Sequence, residues 1–173
     1  PENAFRAEDD LWDSDYIQQY LVNEVLAQQP SVERSFMEAI SILDRFESSL
    51  CAHVWSTFDS ERRQLQTGHN MFNSMISGDL FLIQLDESHE WFRFHHLFKD
   101  LLLKELSKHH STEMIARLHA RASEWLAANG YISEALNHKL KANDIDGAVK
   151  LIEKERYSLL NQHQHHILAK WLS

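Results

Sequence analysis

Histidine is the residue type best placed to do chemistry in this sequence. Twelve occur in 173 residues, and an imidazole can bind a metal, move a proton or donate to a phosphate. Two are adjacent in "EWFRFHHLFKDLLLKEL" (Glu90–Leu106), where an aromatic, β-prone run hands over at His95 and His96 to a leucine-rich helix. A helix start presents unpaired N–H groups and the positive end of the helix dipole, a combination that favours an anion and phosphate above all. Position alone leaves two readings open. Either one imidazole caps the helix while the other packs beside Trp91 or Phe94, or the pair meets a bound phosphate.

The other candidates carry less. His163 and His166 stand at i, i+3 and could clip a metal, and His109/His110 fall in a turn. No H-E-x-x-H occurs and the clusters are far apart, so polar surface histidines are expected rather than a metal site. Cys51, the single cysteine, lies in the apolar "LCAHV", where a structural thiol is expected. His53 does not activate it, because i and i+2 do not face each other on a helix. There is no G-x-S-x-G elbow, and Gly68, Gly78, Gly130 and Gly147 are isolated, with no phosphate-cradling G-x-x-x-x-G-K-[ST] or G-x-G-x-x-G among them. Carboxylates cluster at Glu8–Asp10 and Asp86/Glu87, in linker and turn positions solvated by default. The chain is expected to be no enzyme and to hold no metal or cofactor of its own.

The elements that position these residues are mostly helical. Only four glycines and two prolines occur, which argues against a turn-rich β fold. Residues 1–13 read as an acidic linker, and "SDYIQQYLVNEVLAQQ" as a helix capped by Ser14 or Asp15. After Pro30, Val32, Phe36, Ile40 and Leu43 form a helical stripe. Shorter helices follow in "SSLCAHVWST" and "GHNMFNSMISG", the latter stopping at Gly78. Two β-prone runs, Leu80–Leu85 and Trp91–Phe94, then flank the polar turn "DESHE" as a hairpin. Helices, a hairpin and one more helix are the order of a winged-helix domain, placed at 14–108. Residues 111–173 are purely helical, with Met114, Leu118, Ala122, Trp125 and Leu126 on one helix and echoing breaks at "ANGYISEAL" and "ANDIDGAV". They predict a solenoid-like antiparallel helical domain, the start of a TPR-like sensor. The fold class is therefore mainly α: a winged helix with a small hairpin, then a helical arm. The segment "QHQHHILAKWLS" ends without a stop signal, so a fragment of something longer is expected.

Charge narrows the partners. Residues 1–94 hold seventeen acids to six bases and residues 95–173 nine to eleven, a balance that repels a nucleic-acid backbone. No apolar run approaches the roughly 20 residues of a membrane span, no secretory leader is visible, and one cysteine fits a reducing, cytoplasmic setting.

The segments "DYIQQYLVNEVLAQQP", "FMEAISILDRFESSLCAHV", "LFLIQLDESHEWFRFHHLFKDLLLKEL" and "LHARASEWLAANGYISEALNHKLKANDIDGAVKLIE" together resemble the middle of the MalT-like ATP-dependent transcription activators. These are LuxR-type regulators built on a STAND signal-transduction ATPase. The resemblance implies a P-loop ATPase domain before this region and a sensor and DNA-binding helix-turn-helix after it. It implies ADP/ATP as the nucleotide of the parent protein and the parent's own ATPase and sensor domains as partners. It also implies self-association on activation, DNA contact only through the separate helix-turn-helix, and no membrane. Related STAND proteins carry a Met-His-Asp motif whose histidine touches the β-phosphate of ADP. "RFHHLFKDLL" is similar, with Phe94 at the Met position, His95 at the His and His96 at the Asp. His95 is thus implied as a phosphate contact, whereas His96 departs from the motif. Two other functions remain: a helical scaffold from about Ser111 that binds a protein or inducer, and a direct DNA-binding winged helix. "GHNMFNSMISG", the presumed recognition helix of the latter, contains no Lys or Arg.

Overall fold

The computed structural model of the chain describes residues 26–58, 63–78 and 81–161. The 1–13 linker, most of the helix expected over 14–29, and His163 and His166 lie outside them. Within them run α1 (Ser31–Ile40), α2 (Ser48–Trp55), α3 (Arg63–Ser77), β1 (Leu82–Gln84), β2 (Phe92–Phe94), α4 (His96–His109), α5 (Thr112–Ala128), α6 (Ile132–Lys141) and α7 (Ile145–Asn161). The mainly helical fold with a small hairpin is as the sequence predicts, although α3 begins well before the expected Gly68 and both strands are shorter than their apolar runs.

Along α1 and the turn after it the expected stripe holds at Phe36, Ile40 and Leu43 but fails at Val32, which is 51% exposed. Met37, Glu38 and Ala39 are buried instead, because α2, α3 and α4 all pack on this helix and leave its second half no solvent face. The buried Glu38 carboxylate is 3.0 Å from Nδ1 of His109 at the end of α4. The Glu47 carboxylate caps α2 by accepting from Ser49 N and Leu50 N at 3.0 and 2.7 Å. Gly68 lets α3 lie directly on α2, since a Cβ there would come within 2.7 Å of Ala52 Cα.

The hairpin pairs Leu82 with Phe94, Ile83 with Arg93 and Gln84 with Phe92. Its turn is held by Asp86, whose Oδ1 accepts from Glu90 N and Trp91 N at 3.1 and 3.0 Å. Phe92 also exchanges backbone hydrogen bonds of 2.8 and 2.9 Å with Phe46, so a one-residue bridge extends the sheet on its far side. The wing is thereby sewn to the α1–α2 connection.

From the sheet the core passes through Phe98, Leu102 and Leu106 of α4 into Leu118, Ala122 and Leu126 of α5, then Ala135 and Leu136 of α6, without interruption. Leu118 and Leu126 are 0% and 1% exposed, and each such burial contributes roughly 1.5–3 kcal/mol. Exposed ion pairs contribute ~0–1, so apolar contact decides that α5 docks on the winged helix. The α5–α6 turn closes at Gly130 (φ 83) with Tyr131 N donating to Leu126 O at 2.9 Å. At the α6–α7 turn the positive φ falls on Asn143 (57°), and Asp144 Oδ1 caps α7 through Gly147 N at 2.9 Å. The two breaks that echo in sequence are therefore different turns.

Candidate functional site

The strand β2 delivers His95 to the start of α4. Its backbone N donates to Phe81 O at 2.8 Å, tying the helix start to the residue just before β1, and Lys99 N donates to His95 O at 2.9 Å to begin the helix. Phe98 packs beneath, with its ring 5.6 Å from that of Phe94 and 5.3 Å from that of Phe81. The helix start is thus fixed from two sides by hairpin and aromatic contacts.

The first of the two readings, one imidazole capping the helix while the other packs beside Trp91 or Phe94, does not hold at its cap. His95 is the residue at the cap position, but its side chain makes no cap hydrogen bond. The two imidazoles lie against each other instead, 4.4 Å between ring centres and tilted by 34°. His95 is half-buried and His96 exposed, and the first turn of α4 carries no acid. Among the described residues neither imidazole is hydrogen-bonded. Chemically this is a helix start whose first turn carries no carboxylate to repel an anion and whose two imidazoles are, among the described residues, without hydrogen-bond partners.

A second polar cluster lies where α5 and α6 meet the winged helix, and sequence reasoning missed it. Arg45, just after α1, donates to Glu134 of α6 at 2.6 and 3.4 Å. Its guanidinium lies 4.4 Å from the Trp91 ring centre and 5.0 Å from that of Tyr131. The hydrogen bond to Glu134 raises its pKa further. The preceding residue, Asp44, accepts from Lys99 Nζ of α4 at 2.5 Å. Burial works against the Asp44 carboxylate, but the Lys99 hydrogen bond and charge outweigh it and the pKa falls. On the other side Arg121 of α5 reaches Ser56 Oγ at 2.8 Å. Between α5 and α6, His119 and His138 form a buried pair. Each histidine sits beside the core residues of its helix, which is the one signal the sequence offered.

Other expected sites resolve plainly. Cys51 is fully buried, and burial pushes its thiol well up, as a structural thiol should be. Among the described residues no group of three or more His, Cys, Asp or Glu could hold a metal. Ser48 Oγ and His69 Nδ1 are 2.6 Å apart, a hydrogen bond that ties the start of α2 to the middle of α3. His109 is engaged with Glu38, and His110 lies 5.2 Å from the Phe58 ring. No described helix is long and apolar enough to cross a membrane.

Residues 22–114 match the family described as the MalT winged helix domain. The serine/threonine-protein kinase PknK of Mycobacterium tuberculosis (strain H37Rv) is 34% identical over 149 residues, covering 86% of this chain and 13% of the kinase. The HTH-type transcriptional regulator MalT of Yersinia pestis (strain Pestoides F) is 28% identical over 158 residues, covering 91% of this chain and 16% of the regulator. The chain therefore spans less than a sixth of the length of these curated relatives.

Proposed function

This chain belongs to the MalT winged helix domain family, and on that footing we propose that it is the non-catalytic regulatory module of a larger signalling protein. The module couples the ADP/ATP state of a separate ATPase domain in the same parent to activation and self-association. In this reading His95 donates to a phosphate of ADP held by that domain, and the helical arm passes the change on. DNA contact, where the parent makes any, belongs to a separate helix-turn-helix.

The observation that carries the reading is the start of α4, with a half-buried His95 whose ring makes no hydrogen bond among the described residues and whose backbone is held by its bond to Phe81 O. The relatives support the modular part. A kinase and a transcriptional regulator share this segment, so the segment is suited to control rather than to either output. The DNA-binding alternative is disfavoured by a wing tip that carries Asp86, Glu87 and Glu90 and by a basic-poor α3. The scaffold alternative has one observation in its favour. Leu140, Ile145 and Val149 are 55%, 53% and 48% exposed on α6 and α7.

His95→Ala in the full-length parent tests the reading. A hydrogen bond to a charged group contributes roughly 1.5–3 kcal/mol, and ~1.4 kcal/mol is tenfold in an equilibrium. ADP binding should therefore loosen about ten- to a hundredfold and inducer-free output should rise. Unchanged ADP retention and basal output, with only a lower melting point, would leave His95 as a purely structural residue.

A further inference from the structure

Away from the open helix start, His119 of α5 and His138 of α6 face each other with their Nδ1 atoms 2.8 Å apart. Their ring centres are 4.9 Å apart and the residues are 8% and 5% exposed. A contact between two Nδ1 atoms is bonding in only one arrangement: one ring carries its proton there and donates, and the other accepts. Protonating the acceptor turns the contact into two N–H donors facing each other and places a charge where water is excluded. The charged groups facing the pair do not relieve this. Lys141 comes from just after α6, Lys99 from α4, and Asp44 from the α1–α2 connection, but the Asp44 carboxylate is already paired with Lys99.

We propose that the His119–His138 pair is a proton-sensitive latch on the α5–α6 hairpin, closed while both rings are neutral and released as the opened rings take up protons. The latch does not rest on the nucleotide reading of His95. Burial, then the Lys141 charge, lowers His119 to about 4. Burial, then His119 and Lys141, lowers His138 to about 3. In an opened hairpin both rings return to the ordinary value near ~6.5. Both folded values are depressed, so the neutral, closed form is favoured fully above ~6.5. It loses ground as pH falls from there toward the folded values, because the open form binds more protons. Each ring then favours opening by about tenfold between pH 7.5 and 5.5, and the two together by about a hundredfold.

Native-state hydrogen exchange of α5 and α6 amides in the 173-residue chain, corrected for intrinsic exchange, tests the latch. The opening constant should rise about a hundredfold from pH 7.5 to 5.5, and about tenfold in His138→Asn. It should be flat in the double variant His119→Asn/His138→Asn, which keeps hydrogen-bonding amides at the Nδ1 positions but nothing that titrates. A flat wild type, or the same slope in the double variant, overturns the proposal. Should the variants fail to fold, imidazole NMR of the wild type decides. Both rings should stay neutral down to about pH 5, and a midpoint near ~6.5 for either in the folded chain overturns it.

Discussion

His95 and His96 stand at the start of α4 with ring against ring and, among the described residues, no side-chain hydrogen bond, whereas His119 and His138 are sealed between two helices and joined at 2.8 Å. Both pairs bring imidazoles within 5 Å of each other, yet their surroundings assign them opposite work. An unpaired ring nitrogen beside water costs nothing and stays available to a ligand. A buried one costs the full desolvation of a polar group, so the inner pair is committed to each other. Substitutions at the inner pair should accordingly register in stability, and substitutions at the outer pair in ligand affinity.

The contrast is widest for His138→Ala. It leaves His119 Nδ1 buried without a partner and opens a cavity between α5 and α6, together about 2–4 kcal/mol. Urea unfolding at pH 7.5 measures it. A loss under ~1 kcal/mol would mean that water already reaches the pair, and the contrast would collapse. The same measurement at pH 5 should show a smaller difference, because the wild type has by then forfeited part of what its neutral rings contribute.

Arg45 lies between the extremes. Its side chain is 37% exposed, so the Glu134 ion pair contributes ~0.2–1 kcal/mol, and the Trp91 and Tyr131 faces add roughly 0.5–1 each. Arg45→Ala should cost about 1–3 kcal/mol by the same unfolding measurement. Arg45→Lys should recover less than half, because an ammonium lacks the planar fork that meets a carboxylate and two rings at once. Full recovery by lysine would reduce the joint to simple charge attraction.

These two pairs also show what the sequence could and could not say. His95 and His96 were visible because neighbours in sequence at a β-to-α handover share one place whatever the tertiary fold. Their ring-on-ring contact was not, since side-chain rotamers answer to packing. The hairpin was legible from two β-prone runs and a polar turn. The Phe46 bridge to Phe92 was not, because a single paired residue has no periodicity. His119 and His138 are separated by a turn and 19 positions, so only the antiparallel packing of α5 on α6 puts them together. Glu38 is buried off the expected stripe because a one-sided stripe describes a helix with one buried face, and α1 has several.

The smallest expected effect belongs to His96→Ala, and it sharpens the comparison from the outer side. His96 is exposed in the first turn of α4, and alanine is the better helix former there. Stability should therefore stay within about 0.5 kcal/mol of the wild type. The substitution strips away the ring that lies against His95, 4.4 Å from it. If that ring only fills space, then on the proposed nucleotide reading ADP retention by the full-length parent stays within about threefold, since ~1.4 kcal/mol is tenfold and a single exposed ring pairing is worth well under half of that. If His96→Ala instead loosens ADP as much as His95→Ala, the second ring holds the first in its donating rotamer. The outer pair would then be as interdependent as the inner one, and exposure alone would no longer separate a ligand-facing histidine from a committed one.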